Sequence, residues 1–366
     1  MEKELIIDNK YQKIEEIGKG GFGRVFLVIK DNKKYAMKIS KKSDTEMLDN
    51  EIKIFNEILK FDKDNKYIIK MIDHDEDLYN SKIKKYLVLE YAPKGTLFNY
   101  IYDENNYFNG GLGEKYGKFI FSKILIGVQA IHNAGICHLD LTLKNILLDE
   151  NFNPKIADFG LAHLIGSKIN EKIYFNKGTI GFASPERLFN MPFNGLKADI
   201  FSLGVILLYL VTGKPTFQIP EARLNDEAYK NIIKKAYNLF WNNIDQTDSL
   251  SKEFKDLYEK MVHYTASKRP SINDILAHPW MKKDLYNNEK EEDLEKQIYK
   301  EFTKRETIIN ENKSKGNTIN INKKEIPIKN NKSTNQSIPY FTDNFQLKYI
   351  DDNKMNIKDY LIIKGD

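Results

Sequence analysis

Eight consecutive residues, His138-Leu139-Asp140-Leu141-Thr142-Leu143-Lys144-Asn145, place a carboxylate five positions before an amide, and thirteen residues past that amide stands Asp158-Phe159-Gly160. A fold that uses this run must bring Asp140, Asn145 and Asp158 into one pocket. The chemistry they suit is phosphoryl transfer. A hydroxyl attacking a phosphate needs a carboxylate to orient it and take its proton, and metal ions to neutralise the phosphate oxygens. Asp140 fits the first task; Asn145 and Asp158 fit the second as oxygen donors.

The same run resembles the catalytic loop of eukaryotic protein kinases, H-R-D-L-x-x-x-N, followed by the metal-binding D-F-G. The resemblance covers about residues 11 to 281. It implies an α+β, two-lobed protein kinase fold. Residues 11–91 would form a small N-lobe of antiparallel sheet with one helix, and residues 92–281 a larger, mainly helical C-lobe. Two departures stand out. Leu139 occupies the place of the family's arginine, and Thr142 that of the lysine found two residues past the aspartate in most Ser/Thr kinases.

Upstream, Tyr11 to Ile17, Val25 to Ile29 and Tyr35 to Ile39 read as strands, with Asp31-Asn32-Lys33-Lys34 as a turn. The period then changes: Met47, Leu48, Ile52, Phe55, Ile58 and Leu59 recur at helical steps, and Tyr86 to Tyr91 reads as a buried strand. Long apolar helices are expected from Phe119 to His132 and from Ala198 to Val211. The glycine-punctuated stretch from Tyr107 to Gly117 reads as a surface loop.

Gly18-Lys19-Gly20-Gly21-Phe22-Gly23-Arg24-Val25 matches G-x-G-x-x-G-x-V. Glycines at this spacing also occur in dinucleotide-binding folds, but those require a helix straight after them. Here Val25, Phe26, Val28 and Ile29 favour a strand, so a hairpin whose backbone covers ATP phosphates fits better than the dinucleotide fold or a plain turn. Ala36-Met37-Lys38 resembles the V-A-I-K strand, which implies that Lys38 pairs the α- and β-phosphates with a helix glutamate as its partner. Glu51 suits that part by the resemblance of Glu51-Ile52-Lys53-Ile54-Phe55, with Glu46 and Glu57 as competitors. The resemblance further implies an adenine-binding hinge at Glu90, Tyr91 and Ala92, preceded by Leu89, with Val25, Ala36 and Leu147 enclosing the base. Ordinary core packing would use the same apolar residues.

His138 invites a general-base reading, but the resemblance gives it a structural place beside Phe159, and Asp140 already supplies the carboxylate. The other histidines show no zinc-binding spacing. Gly178 to Glu186 resembles G-T-x-x-Y-x-A-P-E, Asp199 to Gly204 resembles D-x-W-S-L-G, and Lys268-Arg269-Pro270 completes the set, with Arg269 as the implied ion partner of Glu186. These segments point to a kinase acting on proteins rather than on small molecules. Thr179 matches the residue that contacts the catalytic aspartate in Ser/Thr kinases. Lys144, four past Asp140, resembles the basic residue of tyrosine-kinase loops and would take over the γ-phosphate contact that Thr142 cannot make. The Lys-Asn-Ile-Leu-Leu-Asp run and His278-Pro279-Trp280 resemble the calmodulin-dependent and Snf1-like kinases.

Composition sets the remaining bounds. With 41% hydrophobic and 30% charged residues the chain reads as globular, and a net charge of +5 is too slight and dispersed to argue for nucleic acid. There is no signal-like apolar core after Met1 and no apolar run of about 18 residues, so a cytoplasmic placement, or a nuclear one, is expected without a membrane span. The lone Cys137 cannot form an internal disulfide. Residues 282–309 read as a charged helical extension, 310–337 as an Asn/Lys-rich disordered linker, and 338–366 as a small element that docks an unidentified protein partner. The expected activity is ATP- and Mg2+-dependent phosphorylation of serine or threonine in protein substrates. The alternatives are a pseudokinase or ATP-binding scaffold, and a basic tail that binds nucleic acid or anionic lipid.

Overall fold

The computed structural model describes residues 6–7, 10–19, 23–40, 45–79, 82–102, 110–165, 172–173, 178–188, 191–217, 226–284, 289–314, 340–341 and 347–348. The N-terminal part is a six-stranded antiparallel sheet in the order β1-β2-β3-β4-β6-β5, formed by β1 (Ile6–Ile7), β2 (Tyr11–Lys19), β3 (Gly23–Lys30), β4 (Lys33–Ser40), β5 (Met71–Tyr79) and β6 (Lys82–Glu90). One helix, α1 (Thr45–Phe61), joins β4 to β5. The turn between β3 and β4 is shorter than the four residues expected. Asp31 and Asn32 alone make it, at φ 49° and 59°, and Lys33 already pairs with Lys30. Two successive left-handed residues match the right-handed twist of the flanking strands, and Asp and Asn tolerate that conformation best after glycine.

The sheet core is Tyr11, Phe26, Val28, Met37, Ile39, Tyr86 and Val88. Edge strand β5 escaped the sequence reading because His74-Asp75-Glu76-Asp77 breaks the alternation of apolar residues. On α1 the buried stripe is Leu48, Glu51, Ile54, Phe55 and Ile58. Leu59, expected on that stripe, is exposed, and a carboxylate at 51 lies within it.

After β6 come α2 (Phe98–Ile101), α3 (Gly113–Asn133), β7 (Ile136–Cys137), β8 (Ile146–Leu148), β9 (Pro154–Ile156), β10 (His163–Leu164), β11 (Lys172–Ile173), α4 (Pro185–Leu188), β12 (Phe193–Asn194) and α5 (Gly195–Thr212). Helix α3 begins inside the stretch expected to be a loop. Gly117 is there for contact rather than for a turn: a Cβ on it would lie 2.8 Å from Val211 Cγ2, so its absence lets α3 press against α5. Residues 103–109 lie outside the described part. Asn194 caps α5, its side chain accepting from Lys197 N at 3.0 Å. By length and composition α5 could cross a bilayer, yet it is buried along nearly its whole length as the central helix of the C-terminal part.

Of the short helices that follow, α6 (Glu227–Ile233), α7 (Tyr237–Ile244), α8 (Lys252–Met261), α9 (Ile272–Ala277) and α10 (Pro279–Lys282), α8 packs against α5, α9 against α3, α10 against α8 and α9, and α6 against α7. The α+β, two-part arrangement is the one expected. The charged extension also forms a helix, α11 (Glu291–Ser314), which begins later and runs further than the 282–309 span. Its residues Leu294, Ile298, Phe302 and Ile309 are buried, a helical stripe that charge had hidden. Phe302 stacks on Phe152 at 5.3 Å between ring centroids and meets Tyr100 edge-on at 5.3 Å. Arg305 donates to the carbonyls of Tyr100 at 2.8 Å and Gly111 at 3.0 Å.

Residues 311–366 form a separate unit. In it β13 (Tyr340–Phe341) pairs antiparallel with β14 (Leu347–Lys348). The expected linker from residue 315 onward, and the rest of 338–366, lie outside the described residues.

Candidate active site

The sheet and α1 converge on Lys38. It sits on β4 opposite Val25 of β3 and Leu87 of β6, and its ammonium lies 2.7 Å from Glu51 Oε2 and 2.9 Å from Asp158 Oδ1. Of the three candidate glutamates, Glu51 is the one that faces it. Burial alone would depress the Lys38 ammonium, but the two carboxylates outweigh it and hold its pKa above the ordinary value. Burial raises the Glu51 carboxyl, against the opposing pull of Lys38. Asp158 is lowered: its burial is outweighed by the same ammonium. Glu51 also accepts from Phe159 N at 3.2 Å, so α1 and the Asp158-Phe159-Gly160 turn are locked together.

Two further groups fix that turn. Asp158 stands at φ 64°, a conformation that costs an aspartate about 1 kcal/mol and persists only where its surroundings impose it. Phe159 supplies the anchor, fully buried between Phe55 at 5.0 Å and His138 at 4.9 Å. Asn50, which the sequence reading passed over, donates to Ala162 O at 2.9 Å. Its only signal in the sequence is its place beside Glu51.

The catalytic-loop residues form a second cluster. Asp140 Oδ2 accepts from Asn145 Nδ2 at 2.8 Å, and Asp140 Oδ1 accepts from Thr179 N at 2.9 Å and Thr179 Oγ1 at 2.8 Å. Asn145 Nδ2 also reaches the Asp140 carbonyl at 2.8 Å. Thr142 Oγ1 accepts from the amides of Lys144 and Asn145 at 3.2 Å, so this residue, in the usual lysine's place, pins the backbone of the loop. His138 is structural in its contacts: Nδ1 accepts from Asp140 N at 3.2 Å, which leaves Nε2 to donate to Ala157 O at 3.1 Å. Beneath the loop lies Asp199, whose carboxylate accepts from His138 N at 2.7 Å, Leu139 N at 2.9 Å and His132 Nε2 at 3.0 Å. The sequence showed Asp199 as part of a motif but not as the anchor of this loop.

Lys144 does not join the cluster. It is exposed, with its ammonium 5.0 Å from the centre of the Phe98 ring, and no hydrogen bond ties it to Asp140 among the described residues. Gly18 and Val25 pair across the β2–β3 hairpin, with Gly23 at the start of β3; Gly20, Gly21 and Phe22 lie outside the described residues. Ala36 pairs with Leu89, and Leu147 bridges to Thr96, which gives the backbone surroundings of three residues expected near the adenine. Glu90 and Ala92 follow Leu89 and are half-buried, with Glu90 ion-paired to Lys155 at 2.8 Å. Arg269 holds Glu186 through two bonds of 2.7 and 2.8 Å, the ion pair that the resemblance implied.

The residues fit a magnesium ion in kind. The Asn145 amide nitrogen is committed to Asp140, and among the described residues its side-chain oxygen has no hydrogen bond, while Asp158 keeps one oxygen beyond the one Lys38 takes. Both are hard oxygen donors.

A model of the protein kinase domain matches residues 11–281. A probable serine/threonine-protein kinase of Dictyostelium discoideum is 34% identical over 218 residues, 58% of this chain and 24% of that relative. CBL-interacting protein kinase 11 of Oryza sativa subsp. japonica is 31% identical over 298 residues, 79% of this chain and 55% of the relative. A probable myosin light chain kinase of Dictyostelium discoideum is 32% identical over 285 residues, 74% of this chain and 83% of the relative. The chain thus spans less than two thirds of the first two of these relatives. With a kinase-domain match over most of its length and relatives among Ser/Thr kinases, the chain belongs to the protein kinase family.

Proposed function

We propose that this protein transfers the γ-phosphate of ATP, with Mg2+, to serine or threonine hydroxyls of protein substrates. One observation carries the reading: both oxygens of Asp140 are oriented, one by Asn145 and the other by Thr179. A carboxylate fixed in this way is ready to accept a hydrogen bond from an incoming hydroxyl and to take its proton as the phosphorus–oxygen bond forms. Lys38, held by Glu51 and Asp158, would pair the α- and β-phosphates. Asn145 and Asp158 would hold the metal, which neutralises phosphate oxygens when bound. The hairpin carrying Gly18, Gly23 and Val25 would cover the phosphates, and Val25, Ala36, Leu89 and Leu147 would enclose the adenine.

The test is phosphate transfer by purified protein to a degenerate peptide library with magnesium and ATP. Phosphoserine and phosphothreonine are the expected products. Because positioning and charge stabilisation are almost the whole of catalysis in this chemistry, Asp140→Asn and Lys38→Met should each lower kcat about a hundredfold or more. Wild-type rates in either variant would overturn the assignment.

A further inference from the structure

We infer that Arg187 is a positioning residue that stands in for the arginine absent at position 139: from α4 it holds the Gly178-Thr179 segment onto the catalytic loop and so keeps Thr179 on Asp140. Its effect on turnover rests on the kinase reading; its geometry does not.

Arg187 lies one residue past Glu186 and is 3% exposed. Its guanidinium carbon is 5.7 Å from the centre of the Phe193 ring. A Cβ on Gly178 would fall 2.6 Å from Arg187 Nη2 and 3.2 Å from the Leu139 carbonyl oxygen. The guanidinium, the backbone just before Thr179 and the backbone just before Asp140 therefore converge on one point. Gly178, at φ 128°, is the residue that leaves room for them.

Charge explains why a cation is held there. A buried guanidinium is costly unless carboxylates compensate it. Glu186 is already engaged by both terminal nitrogens of Arg269. The other carboxylates acting on Arg187 are Asp199, which anchors the amides of His138 and Leu139, and Asp140 itself. Burial depresses the Arg187 pKa, and these carboxylates act against it. Around them Leu139, Ile173, Phe193 and Cys137 form one apolar cluster, and Lys172–Ile173 pairs with Phe193–Asn194. In kinases with arginine before the aspartate, that cation gathers a phosphate on the activation loop. Here the cation enters from α4 and faces carboxylates that are always present, so the order it imposes does not wait for a modification.

The experiment compares wild type with Arg187→Met, Arg187→Gln and the double variant Arg187→Met/Leu139→Arg. Two readouts are taken: steady-state kinetics, and hydrogen exchange at the Thr179 amide that donates to Asp140. Loss of the buried guanidinium beside Gly178 predicts a fall in kcat of about tenfold or more in Arg187→Met, with the KM for ATP within about twofold of wild type. Exchange at Thr179 should quicken by about tenfold or more in the same variant. Restoring a guanidinium from position 139 should recover part of both. Should Arg187→Met fail to fold, Arg187→Gln carries the same two readouts. Wild-type kcat together with wild-type exchange at Thr179 overturns the inference, as does a loss in Arg187→Met that raises the KM for ATP equally without loosening Thr179. A wild-type protein that transfers no phosphate, while Arg187→Gln still loosens Thr179, would overturn the kinase reading and support this one.

Discussion

At the scale of single residues, the Lys38 ammonium is shared by two carboxylates of unequal standing. Glu51 is buried and Asp158 is partly open, so removing the lysine strands the first far more than the second. In Lys38→Met, Glu51 should answer by keeping its proton. A carboxyl whose folded pKa is raised contributes stability that is full below its unfolded pKa and is lost as pH rises toward the folded value. The variant should therefore lose stability relative to wild type as pH rises from about 4 toward neutrality. Adding Glu51→Gln should remove that slope, and denaturant melts across this range check both. Lys144 permits a second test. Its contact with the Phe98 ring is worth about 0.5 to 1 kcal/mol at an exposed site, too little to keep it from a γ-phosphate. Lys144→Ala should thus lower kcat about tenfold, and an unchanged rate would refute that contact. Lys38, Asp140, Asn145 and Asp158 were legible in the sequence because short spacings carry their chemistry. Asn50 and Arg187 were not, because Ala162 lies 112 residues past the first, Asp140 lies 47 residues before the second, and only folding brings them together.

At the scale of elements, the described residues between Leu161 and Gly178 are held in part by strand pairing and apolar contact. Leu139 and Ile173 share a cluster with Phe193, and the Lys172–Ile173 strand pairs with Phe193–Asn194. Phosphatase-treated protein should therefore keep its activity, and loss that is restored by phosphorylating a loop site would contradict this. Residues 166–171 and 174–177, with the hydroxyls of Ser167 and Tyr174, lie outside the described part. Helix α11 makes the other element-level prediction. Phe302 is fully buried between Phe152 and Tyr100, so Phe302→Ala should cost about 3 to 5 kcal/mol of stability, read by denaturant melts of the full chain. Sequence periodicity found the longer elements and erred where two demands share a segment. Glycines needed for helix contact made the start of α3 look like a loop, and charges on an edge strand concealed β5.

At the scale of the whole molecule, several carboxyls are held below their usual range by nearby cations. Desolvation opposes the shift in each, yet Asp245 is lowered to about 2 by Lys255 and the amides of Ser249 and Leu250, and Glu186 is lowered by Arg269. Carboxylates with depressed folded pKa values stabilise above their unfolded pKa and cease to as pH falls through the folded one. Acid unfolding should therefore set in below about pH 4. Allowing for solvent screening, Asp245→Asn should remove on the order of 1 kcal/mol of the stability seen at neutral pH and flatten the acid limb, as calorimetry across that range would show. The two-part architecture was legible throughout, because strand and helix periods segregate along the chain; the docking of α11 was not, since half of that helix's residues are charged and its partners include Lys94, Tyr100 and Phe152, far upstream. A saturation mutagenesis map would expose this seam. Intolerance to substitution would not stop where the kinase-domain match ends at 281 but would recur in steps of four, four, three and four at Leu294, Ile298, Phe302, Arg305 and Ile309, so that variants there would be scored as lesions of the catalytic domain itself.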